Sequence, residues 1–371
     1  MSSHDLVSFL RQVQEECGGA IPFERFMQEA LYHPRFGYYS ANIKDVGRGG
    51  DFSTSATLGE GLGAAIASWI TGRSKELGWK DIPVIEIGAG NGVLAHSVLK
   101  HLPWRKRWRT DYMIHETSPI LRERQKKILR WRGVRWIDSL PQTLDSLKGR
   151  ALIFSNELVD AFPCRLYMRT ETSWEELGVR ILPDGSLSEV SLSSPSTLGG
   201  FASPDTLPLP SQALKGQRVE RHDSYHSWMR AWAPHWKSGS MLTIDYGDVR
   251  ERLYTRRPEG SLRAYWKHQR YTGRDLYARF GKQDLTADVN FSDLITWGEA
   301  WGWKTIHLTI QREFLTRFLL SAPNSSPSRG IGQPSSSTTI NSNIDTEAVE
   351  DAGEAGDAFK VLEQQPNSLG G

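Results

Sequence analysis

The 371-residue chain has only two cysteines, Cys17 and Cys164, and they lie far apart in the sequence. That leaves no disulfide framework and no paired-cysteine zinc site, and it fits a reducing compartment. Long apolar runs are also missing. The nearest candidate, residues 61–70, is interrupted by Gly and Ser, whereas a membrane-spanning helix needs about 20 apolar residues, so no membrane insertion is expected. The first residues show no basic segment followed by an apolar one, and Asp5, Glu15 and Glu16 come early for a mitochondrial presequence. The expected location is therefore cytoplasmic. Metalloprotease HExxH, hydrolase GxSxG and Walker A patterns are absent, and the 10 His are scattered. No metal site is expected. Aromatic residues are missing from 321 to 358, a stretch whose first thirty residues hold eight Ser and three Pro. Such a composition cannot bury a core and reads as a linker.

Charge is nearly balanced, at a formal +2, but it is segregated. Residues 100–135 carry 12 Lys and Arg against 3 acids, and residues 345–371 carry 7 acids against one Lys. The basic stretch interleaves Trp104, Trp108, Trp131 and Trp136. A nucleic-acid surface has this composition, but so does a solvated helix face whose indoles turn into the core. The second reading is preferred, so nucleic acid is not the expected partner.

Apolar periodicity predicts helices in residues 1–35, with Leu6, Phe9, Leu10 and Val13 on one face and Phe23, Phe26, Met27 and Ala30 on another. From residue 83 onward, short β-branched runs alternate with helical stretches. This is the pattern of a mostly parallel α/β sheet covered by helices on both faces. The expected organisation is a helical extension with a glycine-rich loop over 1–75 and the first half of the α/β core over 76–165. A polar insertion or cap follows over 166–236, then the second half of the core over 237–320, a linker over 321–358 and a terminal segment, 359–371, that docks on the body.

The strongest local signal is Val84-Ile85-Glu86-Ile87-Gly88-Ala89-Gly90-Asn91-Gly92. A buried strand runs into a glycine turn that opens a helix, which lets a ligand approach the main chain. The dinucleotide pattern Gly-x-Gly-x-x-Gly fails, because Val93 stands where its third glycine belongs. S-adenosylmethionine fits better. It has no phosphate, it carries an amino group and a sulfonium, and its ribose needs an acid at the tip of the next strand. Glu86 and Glu116 stand at the two places this ligand requires. The bland alternative is an ordinary tight turn beside a surface acid.

A second constellation, Asn156-Glu157-Leu158-Val159-Asp160-Ala161-Phe162-Pro163, follows the apolar run 151–154. It therefore lies at the carboxyl edge of the sheet, where open α/β folds bind ligands. Carboxylates here pair with a cationic acceptor or accept its proton. A helix cap with solvated acids is the alternative.

These pieces occur in one order with others: Phe26-Met27, Ala30-Leu31-Tyr32-x-Pro34-x-x-Gly37-Tyr38-Tyr39, Gly50-Asp51-Phe52-x-Thr54, Ile244-Asp245-Tyr246-Gly247, Asp284-Leu285-Thr286-Ala287-Asp288-Val289-x-Phe291, Gln311-x-x-Phe314-Leu315 and Phe359-Lys360-Val361-Leu362. Together they resemble the MidA-type S-adenosylmethionine-dependent methyltransferases, from about residue 20 to 320 with a last patch near the end. The resemblance implies a class I methyltransferase (Rossmann-like) fold and S-adenosylmethionine as cofactor. It implies an arginine of a protein substrate as acceptor; the family includes the mitochondrial complex I assembly methyltransferase, so a respiratory-complex subunit is one such substrate. It places Gly88, Ala89, Gly90, Gly92, Glu86 and Glu116 at the cofactor and closes the Asp51-Phe52 loop over it. Asn156, Glu157 and Asp160 then line the reacting side, with Asn156 also at the cofactor and Glu157 and Asp160 in the catalytic role.

The chain departs from the family pattern at Ala89 and Asn91 within the loop, and at Ser97 and Lys100, where an Asp-x-x-Arg pair is common. Those departures leave open a non-catalytic assembly factor that keeps the fold. The Trp-rich basic stretch leaves open a nucleic-acid methyltransferase.

Overall fold

The computed structural model describes residues 3–42, 56–130, 132–193, 210, 213–320 and 358–367. Helices α1 (Ser3–Glu16) and α2 (Phe23–Tyr32) open the chain, separated by Gly18, Gly19 and the two-residue strand β1 (Ile21–Pro22). The helical spacing of Phe23, Phe26, Met27, Ala30 and Leu31 buries one face of α2. A π-turn, Tyr38–Asn42, follows. The small-residue helix is α3 (Ala56–Glu76).

The α/β core then begins. Strand β2 (Ile82–Ile87) feeds α4 (Val93–His101) and the short α5 (Trp104–Arg107). Next come β3 (Thr110–His115), α6 (Pro119–Leu129), β4 (Arg135–Ile137), α7 (Leu140–Ser146) and β5 (Arg150–Asn156). Strands β2, β3, β4 and β5 run parallel to their neighbours. Gly63 of α3 meets α4 so closely that a Cβ there would stand 2.2 Å from Ser97 Oγ.

Beyond β5 the chain builds a separate antiparallel sheet. It consists of β6 (Arg165–Arg169), β7 (Trp174–Ile181), β8 (Leu187–Ser191) and β9 (Arg218–Arg221), joined by β1. Arg165 is fully buried there and forms a bidentate pair with Glu176, at 3.0 and 2.6 Å. Helices α1 and α2 pack on this sheet through Leu10, Val13, Phe23, Phe26, Leu166 and Val179.

The core resumes with α8 (Asp223–Trp232), β10 (Ser238–Asp248) and α9 (Arg250–Arg256). A small antiparallel sheet of β11 (Arg263–Trp266), β12 (Gln269–Tyr271) and β13 (Asp284–Thr286) follows. The chain ends with β14 (Val289–Asn290), α10 (Phe291–Ala300), β15 (Trp303–Ile310), α11 (Gln311–Leu320) and β16 (Phe359–Pro366).

The main sheet has the order β15-β16-β10-β5-β2-β3-β4, with β14 added on β10. Along that path only β16 is antiparallel to its neighbours. Ile82, Val84, Tyr112, Ile114, Leu152 and Phe154 face α3, α4 and α11. Ile85, Ile87, Met113, Ile153 and Met241 face α7, α8 and α10. This is the mostly parallel sheet with helices on both faces that the alternating pattern predicts, each fully buried apolar side chain contributing about 1.5–3 kcal/mol.

In the 166–236 segment, read from the sequence as an insertion or cap, the described residues hold β6 to β9 and the helix α8, whose Tyr225, Met229 and Trp232 pack beneath the main sheet. Polar side chains on the outer face of an antiparallel sheet hide its strands from a search for continuous apolar runs. The glycine-rich loop with Asp51 and Phe52, and residues 321–357, lie outside the described residues. Among the described residues no helix is long and apolar enough to cross a membrane.

Candidate functional site

The carboxyl ends of β2, β3, β5 and β10 converge at one edge. At the end of β2 the backbone turns left-handed three times, with φ +69° at Gly88, +54° at Gly90 and +85° at Gly92. A side chain at Gly88 would also stand 2.7 Å from Leu158 of the second constellation, so the two motifs sit against each other. Asn91 Oδ1 accepts the N–H of Val93, the first residue of α4, at 3.1 Å, and Gly92 is the N-cap.

Glu86 does not reach the surface. Its side chain lies on the α3–α4 side of β2, 2% exposed, and accepts the Tyr112 hydroxyl at 2.7 Å. Burial, eased by Tyr112 and reinforced by the nearby Glu116 carboxylate, pushes its pKa up to about 8. Glu116 follows β3 and accepts the Ser118 N–H and the Gln125 carboxamide, both at 2.9 Å. Burial outweighs these donors and holds its pKa above the ordinary carboxyl value.

Gln125 went unnoticed in the sequence. It is fully buried on α6, between Leu121 and Leu129 on the same helical stripe. Its Nε2 also donates to Gly90 O at 2.9 Å, and its Oε1 accepts the Trp136 indole N–H at 2.8 Å. One side chain thus fixes the spacing between the glycine turn and Glu116. The only sequence signal for it is an uncharged polar residue on an apolar stripe.

The second constellation is built by Asp245, at the end of β10. Its Oδ2 accepts three consecutive main-chain N–H groups, Leu158 (3.2 Å), Val159 (2.9 Å) and Asp160 (3.3 Å), while Oδ1 takes the Tyr246 N–H at 2.9 Å. Glu157 is left-handed, at φ +49°, and its N–H is held by Ile244 O at 3.0 Å. Asn156 Nδ2 donates to Glu157 at 3.1 Å, and the buried Asn156 Oδ1 has no hydrogen-bond partner among the described residues. Asp160 accepts the Thr286 hydroxyl at 2.7 Å.

Around this turn stand Asp284 and Asp288, both buried. Two cations stand beside them: Arg263, 5% exposed, hydrogen-bonded to Asp288 and stacked 5.3 Å over the Tyr246 ring, and the more exposed Arg257, 3.4 Å from the other Asp288 oxygen. Burial and the Asp160 charge push Glu157 to about 7. Burial likewise raises Asp160 and Asp284, and burial together with the Asp160 and Glu157 carboxylates raises Asp245. Five acids therefore stand against two guanidinium groups, both of which pair with Asp288.

The N-terminal extension closes one side. Ser118 Oγ donates to Tyr39 O and the Tyr32 hydroxyl to Ala161 O, both at 2.9 Å, and the two tyrosine rings stack at 5.6 Å.

Of the residues expected at the cofactor, the fold brings Glu86, Gly88, Ala89, Gly90, Gly92, Glu116 and Asn156 to one edge, beside Glu157 and Asp160. Asp51 and Phe52 lie outside the described residues. Ser97 is buried in the α3–α4 seam and donates to Glu60 O at 3.4 Å, and Lys100 pairs with Glu60. The departure at these positions therefore falls in helix packing.

Residues 65–309 match a protein family described as "Putative S-adenosyl-L-methionine-dependent methyltransferase". The chain is 26% identical over 302 residues to the mitochondrial protein arginine methyltransferase NDUFAF7 homolog of Drosophila melanogaster, covering 74% of this chain and 65% of that protein. It is 27% identical over 305 residues to the NDUFAF7 protein of Danio rerio, covering 74% and 68%. Among solved structures, a Burkholderia thailandensis protein described as a "likely methyl transferase" and bound to S-adenosyl-homocysteine superposes with a TM-score of 0.80. That protein is 28% identical, with coverage of 100% of this chain and 93% of that one.

Proposed function

The chain belongs to the S-adenosyl-L-methionine-dependent methyltransferase family matched over residues 65–309, and on that premise we propose that it methylates an arginine side chain of a protein substrate. The observation that carries this reading is the acidic turn. Glu157, Asp160, Asp245, Asp284 and Asp288 gather at the carboxyl edge of the sheet, against the glycine loop, and both guanidinium groups near them, Arg263 and Arg257, pair with Asp288. Such a site favours a cationic acceptor with several donors in a plane, which is the chemistry of a guanidinium. The names of the NDUFAF7 relatives support the same acceptor.

The residues present fit the cofactor. Two buried acids at adjacent strand ends, both raised by burial, suit a ligand with a positive end and vicinal hydroxyls. The left-handed glycines leave the main chain open beside them. Asn156 Oδ1, without a partner among the described residues, offers an acceptor at the same edge. Glu86 and the Gly88–Gly92 turn would hold the amino-acid end, and Glu116, set by Gln125, the ribose. When bound, the cofactor supplies an electrophilic methyl group on a sulfonium.

The protein's own contribution is orientation and proton management. Glu157 and Asp160 hold the acceptor nitrogen in place by charge-assisted hydrogen bonds. As that nitrogen gains its bond to carbon it must lose one proton, and Glu157, with a pKa near 7, is poised to take it. Activity should therefore rise with pH through about 7.

The test is tandem mass spectrometry of co-purified proteins after incubation with deuteromethyl-labelled S-adenosylmethionine. Label on arginine, lost in Glu157→Gln, is the expected result. Label on another residue type, or undiminished label in Glu157→Gln, would overturn the proposal.

A further inference from the structure

A second charged surface lies at the opposite edge of the main sheet. α4 starts at the carboxyl end of β2 and runs back, so α5 and the turn into β3 stand at the amino ends of the strands. The Ile82 N–H, at the start of β2, donates to Arg109 O at 2.8 Å. None of the four residues of α5 is buried. Trp136 packs against the core as the preferred sequence reading expects, but Trp104 is 68% exposed and Trp108 82% exposed, so contrary to that reading these two indoles face solvent: the short α5 has no buried face to receive them. They are four residues apart and joined by a helical hydrogen bond, Trp108 N–H to Trp104 O at 3.2 Å, so both indoles stand on the same side of one turn.

The cations around them are left without acids. Arg105 covers the Trp104 ring at 5.2 Å, and neither it nor Arg107 nor Arg109 forms an ion pair among the described residues. The acids nearby are engaged elsewhere: Asp111 by Arg135, Glu60 by Lys100 and Glu123 by Lys126. Arg132 donates to His96 at 2.7 Å. Burial and the Arg107 charge lower the pKa of Arg132, and burial, Arg132 and Lys100 lower that of His96. The cations of this corner repel one another.

We propose that the Trp104–Arg109 turn docks the protein on an anionic bilayer surface, with the two indoles in the interfacial layer and Arg105, Arg107 and Arg109 on lipid phosphates. Indoles favour the boundary between headgroups and acyl chains. Each basic residue near an anionic leaflet adds about 1 kcal/mol. Single-stranded nucleic acid instead needs successive stacking positions along a basic groove, and here both indoles crowd a single turn. Docking by this edge leaves the acidic site, at the other end of the strands, turned away from the membrane and open to substrate. The proposal stands independently of the arginine reading.

The test uses the full chain with vesicles of phosphatidylcholine alone and with one third phosphatidylglycerol, read by co-sedimentation. Binding to the anionic vesicles only, weakened about tenfold or more when salt is raised to ~0.5 M, is expected. Trp104→Ala/Trp108→Ala and Arg105→Glu/Arg107→Glu/Arg109→Glu should each reduce it about tenfold or more, while S-adenosyl-homocysteine affinity by calorimetry stays unchanged and shows both variants folded. Equal binding of wild type and variants, or no vesicle binding by wild type, overturns the proposal. So does loss, in the same variants, of affinity for an RNA oligomer that wild type prefers to vesicles.

Discussion

Asp245 spends one carboxylate oxygen on three consecutive main-chain N–H groups, and this sets the left-handed turn that presents Glu157 and Asp160. Hydrogen bonds to a charged group are worth about 1.5–3 kcal/mol. Asp245→Asn should lower kcat about tenfold to a hundredfold through a misaligned turn, with cofactor affinity by calorimetry within about threefold. An unchanged kcat in a folded variant would remove Asp245 from the positioning role. Gln125 stands in the other half of the candidate site. Gln125→Ala releases Gly90 and Glu116 together, so affinity for S-adenosyl-homocysteine should fall about tenfold or more, and discrimination against its 2′-deoxy analogue should shrink if Glu116 takes the ribose role proposed for it. Loss of affinity with discrimination intact would mean that Gln125 only stabilises the helix. At this scale the sequence revealed the residues that come as motifs. The glycines, Glu116 and Asn156 to Asp160 are local in the chain. Gln125, Arg263 and Thr286 become site residues only through contacts across the fold, and nothing beside them in the sequence announces it.

Strand β16 decides the architecture of the late half of the molecule. It lies between β10 and β15 and closes two strand edges that would otherwise be open. Its Glu363 is 2% exposed and ties three elements together. It accepts the Trp69 indole at 2.8 Å, Arg73 at 2.6 and 2.8 Å and the Ser240 hydroxyl at 2.5 Å. Burial opposes its charge, but the Arg73, Ser240 and Trp69 hydrogen bonds prevail and hold its pKa below the ordinary value. Breaking a buried pair by removing one partner costs about 3–5 kcal/mol, so Glu363→Ala should lower the thermal midpoint by several degrees in calorimetry. A shift within error would show that the network is not stabilising. The alternation of strands and helices over 82–156 was readable because each parallel strand is apolar on both faces. The strands of 165–191 and 263–286 were not, because antiparallel strands with one wet face carry few consecutive apolar residues. β16 is visible in the sequence only as a family-like patch; its place inside the sheet depends on partners fifty or more residues away.

Across the whole molecule, the acids raised by burial make stability depend on pH. Glu86 is held at about 8, and Glu157 and Glu24, again mainly by burial, at about 7, against about 4.3 in an unfolded chain. The folded state therefore binds more protons than the unfolded state between these values. The resulting stability is fully present below about 4.3 and is lost as pH rises through 7 to 8. His222 acts in the opposite direction, since burial lowers it to about 4. Its contribution is complete once the unfolded imidazole is neutral, so the window above about pH 7 reports the carboxyl groups. The thermal midpoint of the cofactor-free protein should fall between about pH 7 and 8.5, less so in Glu86→Gln. A midpoint that rises over this window would contradict the assignment.

The glycine turn between β2 and α4 is the proposed cofactor site, and its most direct test is titration calorimetry of S-adenosyl-homocysteine into the native protein and into Gly90→Val. The left-handed backbone at this position, φ +54°, disfavours a β-branched residue. One saturable site in the native protein and an affinity at least about thirtyfold weaker in the folded variant, a loss of ~2 kcal/mol, are the expected result. No binding by the native protein, or equal binding by both, would contradict this assignment.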